Sequence, residues 1–79
     1  MNIFVGNLHV NTEERALSAV FEEFGLVKSI DFQRDLRTGR FRGFAFVEMY
    51  SDAEALTAIS TLNNKTFLGK RMVVNVREN

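Results

Sequence analysis

The sequence predicts an α+β fold in which two helices cover one face of a four-stranded sheet. Segments with alternating apolar residues and segments with apolar residues at helical spacing succeed one another in the order βαββαβ. A chain of 79 residues can close one core between two layers, but it cannot supply a third layer. Because no linker, repeat or low-complexity segment interrupts it, we expect one module over residues 1–79.

The first two elements are a strand and an amphipathic helix. Alternation predicts the strand from Asn2 to Asn7. Thr12 or Asn11 can cap the helix, which has two glutamates in its first turn, and Gly25 ends it. The apolar residues at helical spacing are Leu17, Val20, Phe21 and Phe24.

A strand, a loop and another strand follow. The strand spans Val27 to Arg34, the loop Asp35 to Phe41, and the next strand Arg42 to Met49. Alternation in the earlier strand divides four residues between two faces, with Ile30 and Phe32 on one and Asp31 and Gln33 on the other.

The chain ends with a second helix, a turn region and a fourth strand. Ser51 or Asp52 can cap the helix, and the strand is predicted from Met72 to Arg77. The helical residues expected to point inward are Ala55, Leu56, Ile59 and Leu62. The turn residues are Asn63, Asn64 and Gly69.

Three phenylalanines are expected on the sheet face that the helices leave bare. If Ile3 and Val5 point into the core, Phe4 points outward, and the same alternation exposes Phe44 and Phe46. Each ring would forgo roughly 1.5 to 3 kcal/mol of burial free energy, and an apolar surface patch usually marks a binding site. The alternative is burial of both strands on both sides, which the missing third layer disfavours.

Flat aromatic rings on neighbouring strands suit unstacked nucleic-acid bases. Arg42 lies two residues before Phe44 and would project from the same face toward a phosphate. A lone arginine is more often an ordinary solvated residue, but its place beside three exposed rings favours a binding role.

The formal net charge of zero argues against phosphate binding, but the charges are unevenly distributed. Segments 12–24 and 51–62 hold six acidic residues and one arginine, whereas the strands and loops hold nine basic residues and four acidic ones. This separation predicts acidic helices and a basic sheet side able to steer phosphates. Four arginines cluster in one loop and the adjoining strand ends: Arg34, Arg37, Arg40 and Arg42.

Composition disfavours several other classes of protein. Without cysteine and with His9 as the one histidine, the chain cannot form disulfides or a multi-ligand zinc site, and we expect no cofactor. It has no apolar run of about 20 residues and no signal peptide, which predicts a cytoplasmic protein without a membrane span.

Two segments resemble the motifs of RNA-recognition-motif domains. Residues 42–49, RGFAFVEM, match seven of the eight positions of the family octamer, and residues 3–8, IFVGNL, are similar to its hexamer. The likeness extends from about Met1 to Arg77. It implies a ferredoxin-like sandwich with an antiparallel sheet in the order 4-1-3-2. The abrupt start on the first strand resembles small stand-alone bacterial members.

The resemblance also implies a ligand and a set of contacts. Phe4 and Phe44 would stack on bases, Phe46 would pack against sugars, and Arg42 would pair with a phosphate. The remaining candidates are Arg40, Asn75 and Arg77. The expected ligand is single-stranded RNA, or single-stranded DNA, bound by a monomer with little or modest sequence preference. No small-molecule substrate is expected.

Three positions depart from the family pattern. Met49 replaces the last aromatic of the octamer, but alternation turns it toward the core. Asn64 stands where many members have glycine, and asparagine tolerates the same left-handed backbone. Phe41 replaces a small polar residue, and its pattern leaves open whether it contacts ligand or packs within its own loop.

Two other functions are compatible with this order of elements. Some members of the family bind proteins, although such members tend to lose the sheet aromatics that this chain keeps. Acylphosphatases arrange similar elements but need an arginine in the loop after the first strand. Residues 6–11, GNLHVN, contain none, so we expect no enzyme activity.

Overall fold

The helices and the main strands follow one another in the predicted order βαββαβ, with one short hairpin added before the last strand. The structure is a computed structural model that describes residues 1–78, and the expected module end at residue 79 lies outside them. The elements are β1 (Asn2–Gly6), α1 (Glu14–Glu22), β2 (Val27–Arg34), β3 (Phe41–Met49), α2 (Asp52–Leu62), β4 (Thr66–Phe67), β5 (Lys70–Arg71) and β6 (Val73–Val76).

The main sheet has the order β2-β3-β1-β6, and its neighbouring strands are antiparallel. Since β6 is the predicted fourth strand, this order confirms both the 4-1-3-2 arrangement and the two-layer fold class. The octamer strand β3 and the hexamer strand β1 therefore lie side by side at the centre. Phe4 pairs with Phe46 on one side and with Asn75 on the other.

The core lies between the helices and the inner face of the sheet. Its larger fully buried side chains are Phe21, Ile3, Leu8, Leu17, Met49, Met72, Val5, Val47 and Val74. Each aliphatic or aromatic side chain of this size contributes about 1.5 to 3 kcal/mol when it leaves water. The burial of Ile3 and Val5 in β1, and of Ala45 and Val47 in β3, leaves the alternate residues on the opposite face.

Helix α1 begins one residue later than the predicted Thr12 cap would place it. The Thr12 hydroxyl donates to the carbonyl oxygen of His9 at 2.6 Å, and the Thr12 backbone N–H donates to the same carbonyl at 3.0 Å. This turn leaves Glu13 at the N-cap without a side-chain hydrogen bond. The prediction that Thr12 or Asn11 caps the helix is therefore wrong.

Gly25 does not end α1 as a left-handed cap. The helix ends at Glu22, and the left-handed glycines of the described residues are Gly39, Gly43 and Gly69. A Cβ atom on Gly25 would instead clash with the carboxylate of Glu54 in α2. The loop after α1 thus lies close to the second helix, and a larger residue at position 25 would have to displace the Glu54 side chain.

Helix α2 confirms its predicted cap but not its whole predicted core face. The Ser51 hydroxyl accepts a hydrogen bond from the Glu54 backbone N–H at 3.2 Å. Leu56, which was expected to point inward, is 51% exposed, whereas Ala58 is fully buried. The buried stripe runs through Ala55, Ala58 and Leu62, and Leu56 lies about 100° around the helix from Ala55.

The hairpin of β4 and β5 was not predicted from the sequence. Its turn places Leu68 and Gly69 at φ angles of 52° and 81°, the left-handed pair that type I′ turns require. The predicted turn residue Gly69 lies in this turn, but two-residue strands are too short to show alternation, so the sequence did not indicate the strands on either side. Asn64 has a φ angle of 70°, as its left-handed interpretation predicted.

Phe41 lies on the helix side of the sheet and begins β3 one residue earlier than predicted. Its ring stacks on that of Phe32, with a centroid distance of 4.6 Å and an interplanar angle of 23°. Both rings pack against the buried core. Of the two roles left open for Phe41, internal packing is the one that the structure supports.

Candidate nucleic-acid interface

Three phenylalanine rings form a cluster on the open face of the sheet. Phe4 of β1 lies 5.7 Å from Phe44 and 6.0 Å from Phe46 of β3, measured between ring centroids. Phe44 and Phe46 are also 6.0 Å apart and meet edge to face. Each ring is half-buried by its neighbours. The predicted outward direction of all three is confirmed, and we call Phe4, Phe44 and Phe46 the aromatic cluster.

Gly6 makes room for the Phe4 ring. A Cβ atom on Gly6 would lie 2.7 Å from both Cε2 and Cζ of Phe4, closer than such carbons approach. The residues are two apart in β1, so they share one face of the strand. Gly6 is thus a site residue that sequence reasoning missed, although glycine inside a strand is a known sign of a close approach.

A polar residue flanks the aromatic cluster on each outer strand. The register places Asp31 of β2 opposite Phe46, Phe46 opposite Phe4, and Phe4 opposite Asn75 of β6. Asp31 and Asn75 are both exposed. The row therefore presents a carboxylate, two rings and an amide in succession across all four strands.

A shallow groove runs along the β6 side of this row. It is lined by Phe4, Phe46, Asn75, Val76, Arg77 and Glu78. The Arg77 backbone N–H donates to the Asn2 carbonyl at 2.9 Å, which extends the β1 pairing beyond the end of β6. The predicted candidates Asn75 and Arg77 are therefore brought to the rings of Phe4 and Phe46.

Two arginines lie over rings of the aromatic cluster. The guanidinium carbon of Arg77 is 3.8 Å from the centroid of Phe46, and that of Arg42 is 5.2 Å from the centroid of Phe44. Such placement favours a cation because the face of the ring is electronegative. The position of the Arg77 guanidinium also places a polar group directly over the face of Phe46, which is therefore accessible from the open side of the sheet.

Arg40 lies apart from the aromatic cluster, in the loop between β2 and β3. It lines a separate groove with Val10, Arg34, Gly39 and Phe41. Of the seven predicted site residues, the structure thus brings six together and places Arg40 at the end of the sheet.

Hydrogen bonds order this arginine-rich loop. The Asp35 carboxylate accepts from the backbone N–H groups of Arg37 at 2.8 Å and Thr38 at 3.0 Å. These bonds stabilise the charged carboxylate and lower the pKa of Asp35 below its ordinary value, and the bond from Thr38 has the larger effect. The Asp35 N–H also donates to the Arg40 carbonyl at 2.8 Å, which closes the loop.

The open face is less basic than the sequence predicted. Asp31 faces outward from β2, and Glu48 faces outward from β3, where Lys28 pairs with it at 3.7 Å. The basic residues instead surround the face: four arginines cluster at positions 34–42, and Lys65, Lys70 and Arg71 lie in or beside the hairpin of β4 and β5. A phosphate backbone would therefore meet positive charge at the margins and a mixed surface at the centre.

The amide of Asn7 ties the end of β1 to this hairpin. Its Nδ2 atom donates to the Arg71 carbonyl at 2.8 Å. Asn7 has a φ angle of 57°, a left-handed conformation that asparagine tolerates better than most residues. This hydrogen bond holds the hairpin near the C-terminal end of β1.

Neither helix of residues 1–78 is long and apolar enough to cross a membrane.

Comparison with known proteins shows which protein family this chain resembles. The model of the RNA recognition motif family matches residues 3–73. RbpB of Nostoc sp., a protein whose name proposes RNA binding, is 48% identical over 75 residues, which are 95% of this chain and 73% of that protein. This relative comes from a bacterium, in agreement with the resemblance to bacterial members.

Two solved structures show the same fold at substantial sequence identity. A crystal structure of RNA binding protein PG1 has a TM-score of 0.91 and 40% identity, and the match covers 95% of this chain and 90% of that one. A structure described as an Sxl-lethal protein/RNA complex has a TM-score of 0.89 and 35% identity. That match covers 96% of this chain and 47% of the other.

Proposed function

Because this chain belongs to the RNA recognition motif family, we propose that it binds single-stranded RNA on the open face of its sheet. The observation that carries the proposal is the aromatic cluster, three phenylalanine rings within 6.0 Å of one another on a face that no helix covers. RNA-recognition-motif domains stack two or three bases on such aromatics. The relatives named for RNA binding, and the related structure described with RNA, support the same function.

We assign the stacking positions to Phe4 and Phe46. These two rings lie directly opposite each other in the register, line the groove with Asn75 and Arg77, and have polar residues beside them on the outer strands. A base on either ring would have its edge within reach of a hydrogen-bonding group. Phe44 lies one residue beyond the last register pair of β1 and β3, Val5 and Ala45, away from these polar residues, and would pack against sugars. This assignment exchanges the roles that the family resemblance suggested for Phe44 and Phe46.

The arginines would contact the phosphates that connect the stacked bases. Arg42 holds its guanidinium carbon 5.2 Å from the centroid of Phe44, beside the aromatic cluster, and can pair there with a phosphate. The guanidinium of Arg77 lies over Phe46, where a base would compete for the same ring face, so base binding would direct the guanidinium outward to a phosphate. Arg40 would bind a nucleotide beyond the sheet, near the loop groove.

Sequence preference in this mode of binding is modest. Stacking accepts any base, whereas hydrogen bonds to base edges discriminate. The same rings accept single-stranded DNA, since few of the proposed contacts need a 2′-hydroxyl. We propose a monomeric, non-catalytic binding module, since every proposed contact comes from one chain and serves to hold the ligand.

A titration with fluorescently labelled RNA tests this function. A random-sequence single strand should bind the chain, and a perfect duplex of equal length should bind much more weakly, because paired bases cannot lie on the rings. Phe4→Ala should weaken single-strand binding by about 1 to 3 kcal/mol. Leu56→Ala, on the exposed side of α2, serves as the matched control and should leave affinity unchanged. Equal affinity for the duplex would contradict the proposal.

A further inference from the structure

The open face carries two acidic side chains, Asp31 and Glu48, that RNA binding by stacking and phosphate contacts does not use. Asp31 is exposed on β2 and lies opposite Phe46 in the register. A carboxylate repels phosphates, so its place beside a stacking ring needs a separate explanation. We propose that Asp31, oriented by Gln33, selects guanine at the base position on Phe46; the inference rests on the proposed function.

The distance between neighbouring strands places Asp31 within reach of a base on Phe46. Residues directly opposite each other in an antiparallel pair have Cβ atoms about 4.5 to 5.5 Å apart. A base stacked on the Phe46 ring would extend beyond the ring, since bases are as wide as this spacing. Its edge on the β2 side would then meet the Asp31 carboxylate.

Gln33 orients the carboxylate from the same face of β2. Its Nε2 atom donates to Oδ2 of Asp31 at 3.0 Å and lies 3.3 Å from the Asp31 backbone carbonyl oxygen. A carboxylate has two oxygens and can accept about four hydrogen bonds. The bond from Gln33 therefore restrains Asp31 and leaves acceptor positions on both oxygens for a ligand.

No cation competes for Asp31 within residues 1–78. The ion pairs of these residues join the N-terminal amino group to Asp52 and Lys28 to Glu48. Glu48 is the other acidic residue on this face, but it already forms an ion pair with Lys28, whose Nζ atom lies 3.7 Å from Glu48 Oε2. Of the two carboxylates, Asp31 is therefore the one whose oxygens are available to accept hydrogen bonds from a base.

The chemistry of the bases then decides which one fits. An ionised carboxylate accepts hydrogen bonds and cannot donate them. Guanine presents two adjacent N–H donors on its Watson–Crick edge, at N1 and N2, which match the two carboxylate oxygens. Adenine and cytosine place a ring-nitrogen acceptor beside their one amino group, and uracil places carbonyl oxygens on both sides of its one N–H. Guanine alone therefore makes a bidentate contact.

Short single strands that differ at one base test this selection. The probes are UUUGUUU and the same strand with the central base changed to uracil, adenine, cytosine or inosine, which lacks the N2 amino group. Wild type should bind the guanine strand roughly tenfold more tightly than the uracil strand, as expected for a bidentate base contact. The inosine strand should fall between them because it keeps one of the two donors.

Two variants with the same change in charge separate base selection from electrostatics. Asp31→Asn replaces one acceptor oxygen with a donor, so the guanine preference should fall to about twofold or less while uracil-strand affinity stays equal or rises. Glu48→Gln removes a charge from the same face and should keep the tenfold preference. Thermal unfolding of both variants should match wild type, because neither side chain is buried.

Different results would overturn guanine selection by Asp31 and RNA binding on the open face. If wild type binds all five strands equally, or if Asp31→Asn keeps the guanine preference, the assignment of Asp31 is overturned and RNA binding stands. If wild type binds none of the strands, or if Phe46→Ala binds them as wild type does, the proposed use of the open face is overturned as well.

Discussion

The eight phenylalanines divide between the core side of the sheet and its open face. Phe21 in α1 is fully buried, and Phe32 and Phe41 stack on each other against the core. The three residues of the aromatic cluster instead contact one another on the uncovered face. One residue type thus contributes to folding at some positions and is available for ligand at others, because alternation along the strand fixes the face.

Substitution should separate these two roles. Phe46→Ala should cost roughly 1 to 3 kcal/mol of RNA binding with a small effect on unfolding, since its ring is half-exposed. Phe21→Ala should cost about 3 to 5 kcal/mol of unfolding free energy, because it leaves a cavity in the core. Chemical denaturation and RNA titration measure the two quantities. The reverse pattern would mean that the two faces of the sheet have been assigned incorrectly.

Gly6 tests whether ring position matters beyond ring presence. Gly6→Ala would place a methyl group where Phe4 Cε2 and Cζ now lie, and the Phe4 ring would have to rotate away. We expect RNA affinity to fall several-fold while all three aromatic residues remain. Gly69→Ala gives a comparison at a glycine outside the proposed contacts whose Cβ would meet no atom within 4 Å, although its φ angle of 81° adds backbone strain. Unchanged RNA affinity in Gly6→Ala would remove Gly6 from the site.

At the scale of elements, the two helices begin differently. Helix α2 has a hydroxyl at its N-cap, whereas α1 begins at Glu13 without a side-chain hydrogen bond. The Thr12 hydroxyl is already used by the His9 carbonyl in the turn that leads from β1. A local hydrogen bond in the loop thus competes with helix capping for the same side chain.

The cap of α2 predicts a measurable contribution to stability. Ser51→Ala should lower the unfolding free energy by about 1 kcal/mol, since the Glu54 N–H then loses its partner. Ser60→Ala is the matched control, because Ser60 is exposed on the same helix and its hydroxyl donates to the Thr57 carbonyl within the helix. Denaturant unfolding measures both changes. Equal effects of the two substitutions would show that the cap contributes nothing.

For the whole molecule, the arrangement of charge matters more than its sum. The formal net charge is zero, yet the acidic residues concentrate in and beside the helices and the basic residues at the loop and hairpin margins of the sheet. Local potentials of this kind can steer a phosphate backbone even when the total charge vanishes. The structure adds that the centre of the open face is mixed, because Asp31 and Glu48 lie there.

Salt dependence tests this distribution of charge. If Arg40, Arg42 and Arg77 each neutralise one phosphate, log K should fall with log salt at a slope of roughly −2, about −0.7 per contact. Arg42→Gln should reduce the magnitude of the slope by about 0.7 and weaken all RNA sequences alike. Arg15→Gln removes the same charge from α1 and should leave the slope unchanged. A flat response to salt would contradict the phosphate contacts and favour a protein ligand.

The sequence alone determined the order of the two helices and the four strands of the main sheet, the faces of the central strands and the family to which the chain belongs. These properties depend on period-two alternation and on contiguous motifs, both of which are local. Ile3, Val5, Ala45 and Val47 therefore sufficed to place the aromatic cluster on the open face. The same local signals could not assign contacts between residues that are distant along the chain.

Tertiary structure decided those distant contacts. The stacking of Phe41 on Phe32, the clash that Gly25 avoids with Glu54 and the row that aligns Asp31 with Phe46 all depend on strand register and on how the helices pack. Alternation fixes which face a side chain occupies, but it does not fix its neighbour on the next strand. Register does, because a hydrogen-bonded sheet brings particular residues opposite one another only after the strands have paired.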